Sequence, residues 1–295
     1  MPGLLALVGG DEFKPGNERQ DRLMVAAAAE GRAYVVPTAA ARQGAGEAVA
    51  HASRWFRKLG LELHELPVLK RSDAMKQKLI EDARRGGFFY LVGGDPGLVA
   101  QVLRASPVWL AMFEAWRGGA VLAGSSAGAM ALCSHTLVRA SWPNRFNRRP
   151  VDALCVVPGT AVLPHFDTFG HKWIESAREA APALTLLGVD ERSAAVWTGG
   201  AWRAVGPGVV NVVKGRRVTT FESGTEIAGL RQPVRRSRDG SRAERFGDPG
   251  GRDSGEAPSS GARASRMRKR AAEELNPKIG RMGAEDPARI SGRDS

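Results

Sequence analysis

The sequence contains only two cysteines, Cys133 and Cys155, and has no Cys-x-x-Cys or His-Glu-x-x-His motif. Two cysteines cannot form the disulfide framework of a small secreted domain, and the missing motifs leave no recognisable metal site. A phosphate-binding loop of the Gly-x-x-x-x-Gly-Lys-Ser/Thr type is also absent. We therefore expect a protein that needs neither a metal nor any other cofactor.

Long hydrophobic segments are missing as well. No apolar run approaches the roughly 18 residues that cross a bilayer. Residues 1–10 turn into Gly-Gly-Asp-Glu too early for a secretory leader. With 43% hydrophobic and 25% charged residues, the 295-residue chain has the composition of an ordinary globular protein. These features predict a cytoplasmic protein without membrane contact.

The chain has fewer acidic than basic residues, and half of the resulting excess of positive charge lies in the last 65 residues. Residues 231–295 carry 16 basic and 10 acidic side chains, whereas the net charge of the whole chain is +12. This region has one aromatic residue, Phe246, and cannot bury enough apolar surface to offset its ordering entropy. We predict a catalytic α/β domain over residues 1–225 and a basic, disordered tail over residues 226–295.

The charge of the tail is compatible with a nucleic-acid contact. Its basic residues have no interleaved aromatic side chains, however, and such side chains are what single-stranded nucleic acids stack on. The composition therefore favours a solvated extension without a specific partner.

Short apolar runs alternate with amphipathic stretches over most of the chain. Strands are predicted over residues 4–8, 33–36, 61–66, 88–92 and 120–123. Helices are predicted over residues 19–30, 47–59 and 72–85, the last with Ser72 as its N-cap. This alternation predicts a three-layer α/β fold, with a mainly parallel twisted sheet and helices on both faces. Five short apolar runs between residues 185 and 221 predict an antiparallel edge.

The most informative motif is Gly124-Ser125-Ser126-Ala127-Gly128, which follows an apolar strand and precedes an alanine-rich segment. In this context G-x-S-x-G forms a sharp turn that projects the central hydroxyl above the end of the strand. Ser125 is the competing hydroxyl, but only Ser126 has glycine at both −2 and +2. The backbone N–H of Ala127 would then face an oxyanion that forms at Ser126.

A serine nucleophile needs a base, and His165 is the best candidate. It follows the apolar run that ends at Pro164, where a strand end is expected. Ligands of parallel sheets bind outside the carboxyl ends of the strands. The other histidines lie within or beside predicted elements and are assigned structural or surface roles: His51, His64, His135 and His171.

The imidazole in turn needs an acidic residue that fixes its tautomer. The candidates are Asp167, Asp190 and Glu191. Asp167 is only two residues from His165, which usually prevents a good approach to the ring. Spacing alone does not separate Asp190 from Glu191.

Five segments, in this order along residues 4–221, resemble the dipeptidase E and cyanophycinase family of serine peptidases. They are Gly9-Gly10, Leu91-Val-Gly-Gly-Asp95, Gly-Ser-Ser-Ala-Gly-Ala, Pro-His-Phe and Gly-Val-Asp-Glu-Arg-Ser-Ala. The resemblance implies a fold like that of class I glutamine amidotransferases, with serine in place of the cysteine nucleophile. It also implies the order Ser, His, Glu, which differs from the order in α/β-hydrolases, the natural rival.

Matched residue by residue, the resemblance implies Ser126 as nucleophile, His165 as base and Glu191 as acid. It places the second oxyanion donor at the backbone N–H of Gly94, beside that of Ala127. The sequence departs from the family at Asp95-Pro96-Gly97, where the family usually has an Asn or Asp followed by a polar residue.

A second departure is the segment over residues 139–150, which differs from both named members of the family. Both departures lie where a substrate would be recognised, and Asp95, Arg139 and Arg145 are assigned to substrate binding. The segment contains four arginines, with Trp142 and Phe146 among them: Arg139, Arg145, Arg148 and Arg149. Arginine suits bidentate binding of carboxylates, so a substrate with an acidic group near the scissile bond is expected.

Taken together, the sequence predicts a serine peptidase that acts on a small peptide or a peptide-like amide. The sequence is also compatible with a homodimer. One alternative is a non-enzymatic amidotransferase-like binding module that retains the serine turn. Another is an esterase, which would hydrolyse simple esters and neglect peptides.

Overall fold

A computed structural model describes residues 1–141, 144 and 146–234 of the chain. The strands are β1 (Leu5–Val8), β2 (Arg32–Val36), β3 (Leu63–Glu65), β4 (Gly86–Leu91), β5 (Val121–Ser125), β6 (His135–Arg139), β7 (Arg148–Asp152), β8 (Thr160–Leu163), β9 (Thr185–Val189), β10 (Ala194–Trp197), β11 (Trp202–Val205), β12 (Val210–Lys214) and β13 (Arg217–Phe221). The helices are α1 (Glu18–Ala26), α2 (Ala45–Lys58), α3 (Gln77–Arg84), α4 (Pro96–Leu103), α5 (Pro107–Arg117), α6 (Ala127–Leu132) and α7 (Ile174–Ala180).

The larger sheet has the strand order β11-β10-β1-β5-β4-β2-β3. The five neighbouring strands β1, β5, β4, β2 and β3 are parallel to one another. Strand β10 pairs antiparallel with β1, and β11 pairs antiparallel with β10. Trp55 and Phe56 of α2 pack on one face, and Trp109 and Trp116 of α5 pack on the other. This burial on both faces is what the continuous apolar runs predict. The predicted three-layer α/β fold with a mainly parallel sheet is confirmed.

A smaller sheet has the strand order β13-β12-β9-β8, and β6 pairs with β7 in a separate hairpin. The sequence predicts a single antiparallel edge over residues 185–221, but the structure divides these strands between the two sheets. Strands β10 and β11 extend the larger sheet next to β1, while β9, β12 and β13 join β8. Apolar runs reveal strands but not their partners, so the division is not readable from periodicity.

The predicted helix over residues 72–85 is wrong at its start. Ser72 makes no side-chain cap, and a short 3-10 turn over Asp73–Met75 precedes α3. Lys76, between the turn and α3, is extended. The Asp73 carboxylate accepts hydrogen bonds from the N–H groups of Leu69 and Lys70, so it stabilises the preceding turn instead of a longer helix.

Helices α4 and α5 are absent from the sequence prediction, although both carry clear start signals. Each begins with proline at its first position, after a residue whose side chain caps the helix. Asp95 accepts from the Leu98 N–H, and Ser106 accepts from the Trp109 N–H. A capping side chain followed by proline is a common helix start.

Beyond β13 the chain stays packed as far as Val234. Leu230 is buried, the Trp202 indole donates to the Arg231 carbonyl, and the Val234 N–H donates to the Val156 carbonyl. The predicted tail begins at residue 226, so its first nine residues are part of the packed structure. The rest of the predicted tail, residues 235–295, lies outside the described residues. Within the part of the chain that the structure covers, no helix combines the length and the apolar character needed to span a bilayer.

Candidate active site

Ser126 lies in a tight turn between β5 and α6. Its backbone has φ +47° and ψ −109°, a conformation that is rare for a residue with a side chain. The turn is anchored by a hydrogen bond of 3.0 Å from the Ser126 N–H to the Val8 carbonyl of the neighbouring strand β1. A β-carbon at Gly128 would overlap the Leu91 carbonyl of β4, which explains the second glycine of the motif. The strained turn therefore holds the Ser126 hydroxyl at the end of the central strands.

His165 lies just beyond the end of β8, with φ +49°. Its N–H donates to the Gly9 carbonyl at 2.7 Å, which connects the smaller sheet to the loop after β1. The Phe169 and Gly170 N–H groups donate to the His165 carbonyl, and the Phe169 ring stacks on the imidazole with centroids 4.8 Å apart. The ring is therefore fixed by backbone hydrogen bonds and by one aromatic contact.

Ser126, His165 and Glu191 form a continuous hydrogen-bonded chain. His165 Nε2 lies 3.1 Å from Ser126 Oγ, and His165 Nδ1 lies 2.7 Å from Glu191 Oε1. The His165 and Glu191 side chains are only 19% and 23% exposed to solvent. Glu191 Oε1 also accepts from the Thr168 hydroxyl at 3.4 Å. This geometry can transfer a proton from serine to histidine and stabilise the resulting imidazolium.

The two other candidate acids lie next to this chain but do not contact the imidazole. Asp167 Oδ1 accepts from the Glu191 N–H at 3.1 Å, so it holds the backbone of Glu191. Asp190 is buried, and its Oδ2 accepts from the Val209 N–H at 2.9 Å. Burial raises the pKa of the Asp190 carboxyl. Both side chains support the turn that carries Glu191.

Gly94 and Ala127 lie beyond the ends of adjacent parallel strands, β4 and β5. Among the described residues, neither N–H group has a hydrogen-bond acceptor. The Ala127 N–H is at the start of α6, where the first amides of a helix are free to bind an anion. Two unpaired N–H groups next to Ser126 are what an oxyanion site requires.

Asp95, which the sequence analysis assigns to substrate binding, is the N-cap of α4 in the structure. Its carboxylate caps α4 through the Leu98 N–H at 3.1 Å, and its own N–H donates to the Ala39 carbonyl at 2.8 Å. Pro96 occupies the first position of α4, where a backbone N–H has no partner in the helix. The departure from the family at Asp95-Pro96 therefore begins a helix.

Of the arginine-rich segment, Arg139 ends β6, and Arg148 and Arg149 begin β7. Arg139 lies opposite Arg148 in the register, and Arg145 lies outside the described residues. The Arg148 guanidinium lies over the Trp173 ring, 3.9 Å from its centroid, and its buried Nε has no hydrogen-bond partner among the described residues. Burial lowers the pKa of Arg148. Trp173 in turn contacts Phe169, the residue stacked on His165.

Glu12, which is not among the residues predicted from the sequence, lies in the loop after β1. Its Oε1 accepts from the Gly93 N–H and its Oε2 accepts from the Ser125 hydroxyl, both at 2.9 Å. A usable signal was present, because a carboxylate just beyond the end of a central parallel strand is expected to face the ligand edge of the sheet. Ser125, the competing hydroxyl, is fully buried and directed at Glu12.

Ion pairs next to the site involve Asp11. Its carboxylate pairs with Lys14 and lies 3.6 Å from Arg192 Nε. The hydrogen bond to Asp11 is the main reason that the pKa of Lys14 is raised, and the charge of Glu191 adds to this effect. Across residues 1–141, 144 and 146–234, no three His, Cys, Asp or Glu side chains converge in a way that could hold a metal.

The sequence model of peptidase family S51 matches residues 4–205. Cyanophycinases from Synechococcus elongatus and Thermosynechococcus vestitus are each 29% identical to this chain over 171 residues, which is 56% of this chain and 53% of theirs. The chain thus spans about half the length of these curated relatives.

Two solved structures are similar to the chain. A peptidase from an acI-B1 actinobacterium superposes with a TM-score of 0.66 at 31% identity, covering 77% of this chain and 97% of its own. A putative peptidase E protein from Listeria monocytogenes EGD-e superposes with a TM-score of 0.50 at 17% identity, covering 75% of this chain and 99% of its own. The second similarity concerns the fold alone.

Proposed function

The chain belongs to peptidase family S51, the dipeptidase E and cyanophycinase family of serine peptidases, and we propose that it hydrolyses a small peptide or peptide-like amide through Ser126, His165 and Glu191. The observation that carries this proposal is the hydrogen-bonded chain through these three side chains, with distances of 3.1 and 2.7 Å. The strained backbone of Ser126 supports it, because such strain concentrates at functional sites.

In the proposed reaction Ser126 Oγ attacks the carbonyl carbon of the scissile amide while its proton passes to His165 Nε2. Glu191 Oε1 accepts the hydrogen bond from Nδ1–H and stabilises the imidazolium. The N–H groups of Gly94 and Ala127 bind the oxyanion of the tetrahedral intermediate. The imidazolium then protonates the departing amine. Water attacks the acyl-enzyme with His165 as base, which releases the carboxylate product and restores the serine hydroxyl.

A serine-directed fluorophosphonate probe and a panel of dipeptides, aspartyl oligopeptides and simple esters test this proposal. A peptidase is expected to be labelled at Ser126 and to hydrolyse peptides. A binding module would show neither labelling nor turnover. An esterase would be labelled but would hydrolyse only the esters.

We further propose that the substrate carries an acidic group close to the scissile bond. Arg148 is connected to the imidazole of His165 through the rings of Trp173 and Phe169, which contact each other. Its buried Nε has no partner among the described residues, and burial of an unsatisfied donor is costly. The two terminal nitrogens of the guanidinium would bind a substrate carboxylate as a fork. Arg139, opposite Arg148 on the hairpin, adds positive charge at the same place.

Asp-X peptides are expected to exceed their Asn-X counterparts in kcat/KM by at least about tenfold, since a charge-assisted hydrogen bond contributes roughly 1.5–3 kcal/mol. Arg148→Met keeps an apolar stem over Trp173 and should abolish the preference. Arg104→Met is the matched control, because Arg104 pairs with Asp152 at the opposite end of the hairpin. Equal kcat/KM for the two peptide series in the wild-type enzyme would contradict the proposal.

Removal of residues 235–295 is expected to change peptide turnover by less than about threefold, or roughly 0.7 kcal/mol in the barrier. Ser126, His165, Glu191, Gly94 and Ala127 all precede this segment, and truncation after Val234 keeps the hydrogen bond from Val234 to Val156. The measurement is kcat/KM of the truncated and full-length enzymes with the same peptide. A loss of tenfold or more in a truncated enzyme with an unchanged Tm would show that the tail contributes to catalysis.

A further inference from the structure

Glu12 lies in a turn whose conformation is fixed on both sides. Its neighbours Asp11 and Phe13 have φ of +54° and +60°, a region that residues with side chains seldom occupy. The Phe13 ring packs on Tyr90 with centroids 5.1 Å apart, and the Asn17 side-chain amide donates to the Asp11 carbonyl at 2.9 Å. Strained backbone of this kind persists only where its surroundings hold it. The turn therefore gives the Glu12 side chain a defined direction.

The Glu12 carboxylate joins the two segments that precede the proposed reacting groups. One oxygen accepts from the N–H of Gly93, which precedes Gly94, and the other accepts from the hydroxyl of Ser125, which precedes Ser126. A β-carbon at Gly93 would lie 2.9 Å from Glu12 Oε1 and 3.5 Å from the β-carbon of Ser126. Gly93 is thus packed between the carboxylate and the serine.

Two hydrogen bonds hold the segment that carries the Gly94 N–H. The Gly93 N–H donates to Glu12 at 2.9 Å on one side, and the Asp95 N–H donates to the Ala39 carbonyl at 2.8 Å on the other. Between them lie two successive glycines, and Gly94 has φ +139°. Glycine has little intrinsic preference for one conformation, so the direction of the Gly94 N–H depends on these flanking bonds.

We propose that Glu12 is a positioning residue that orients the Gly93–Gly94 segment relative to Ser126, so that the Gly94 N–H points to the oxyanion. This inference rests on the proposed function. A negative charge close to an oxyanion opposes its formation, so the contribution of Glu12 comes from the two hydrogen bonds that it accepts and not from its charge.

Two substitutions separate hydrogen bonding from charge. Glu12→Gln removes the charge but keeps both contacts, because the amide oxygen accepts from the Gly93 N–H and the amide nitrogen donates to the Ser125 hydroxyl. Glu12→Ala removes both contacts. A matched control is Glu18→Ala, since Glu18 accepts from the Gly16 N–H at 2.7 Å close by in the chain but has no contact with Gly93.

The experiment measures the second-order rate of fluorophosphonate labelling at Ser126, together with kcat and KM for an active peptide. The phosphoryl oxygen gains negative charge in the transition state of phosphonylation and lies where the oxyanion would form, so the labelling rate reports on the Gly94 N–H. Loss of a single oxyanion donor lowers kcat by about 10²–10³, and misorientation should cost somewhat less. We expect Glu12→Ala to lower labelling and kcat by about 10- to 100-fold with KM changed less than about threefold. Glu12→Gln should stay within about fivefold of wild type, and Glu18→Ala within about twofold.

The outcomes are distinct. An unlabelled, inactive wild-type enzyme would overturn the proposed function and this inference with it. With a labelled wild type, an unchanged rate in Glu12→Ala would overturn the inference alone, and so would a loss in Glu12→Gln as large as that in Glu12→Ala. Should Glu12→Ala fail to fold, Glu12→Asp decides, because it keeps the charge but is one methylene too short to reach Gly93. A tenfold loss in Glu12→Asp supports positioning, and full labelling contradicts it.

Discussion

Replacing Ser126 by alanine is expected to lower peptide turnover by at least about 10⁴-fold, which corresponds to about 5.5 kcal/mol in the activation barrier. The proposed acyl-enzyme cannot form without the Ser126 hydroxyl. Any remaining turnover would come from substrate binding and the oxyanion donors alone. The measurement is kcat on the most active peptide of the panel, with the mass of the fluorophosphonate adduct as an independent readout.

Ser125→Ala provides the comparison, because Ser125 is the only other hydroxyl in the G-x-S-x-G turn. Its side chain is buried and donates to Glu12, away from the imidazole. We expect this variant to keep adduct formation and at least about a tenth of wild-type turnover. Labelling that survives in Ser126→Ala but disappears in Ser125→Ala would reassign the nucleophile.

Glu191→Gln is expected to lower kcat by about 10³- to 10⁴-fold with little change in Tm. The amide carries no charge to stabilise the imidazolium, and its nitrogen can donate to His165 Nδ1 and so favour the wrong tautomer. The change preserves size and shape, and the contact of 2.7 Å between Glu191 and His165 is the only one by which a carboxylate reaches the imidazole among the described residues. The kcat of the purified variant on the same peptide is the measurement.

The matched variants are Asp167→Asn and Asp190→Asn. Each aspartate accepts a hydrogen bond from a backbone N–H, and asparagine keeps an oxygen that can accept the same bond. Both variants should therefore lose less than about tenfold in kcat. Near-wild-type turnover in Glu191→Gln together with a collapse in Asp167→Asn would transfer the role of the acid to Asp167.

Much of the fold could be predicted because the strands of a parallel sheet are buried on both faces and appear as continuous apolar runs. The segments 4–8, 88–92 and 120–123 illustrate this, and each coincides with a strand of the larger sheet to within two residues. Strand pairing could not be predicted in the same way. Periodicity carries no information about partners that lie far apart in sequence, such as β1 and β10.

In the candidate site, too, local features could be predicted from the sequence and long-range contacts could not. The motif around Ser126 and the strand end before His165 are local features, so both residues could be proposed from short segments. Spacing did not distinguish Asp190 from Glu191; only the resemblance favoured Glu191, and the structure brings Glu191 to the imidazole. Glu12 reaches Gly93, 81 positions further along the chain. A contact of this kind depends on the packing of loops, which the sequence pattern does not encode.

The position of β1 in the larger sheet has a consequence for synthesis of the protein. One edge of β1 pairs with β5 and the other with β10, where Leu5 lies opposite Trp197. At 5–20 residues per second, a ribosome needs about 10–40 s to add the residues between these partners, and the free edge of β1 stays without its partner for that time. Glu191 is added only just before β10. A growing chain therefore acquires the last of the three proposed reacting groups at about the moment when its main sheet can close.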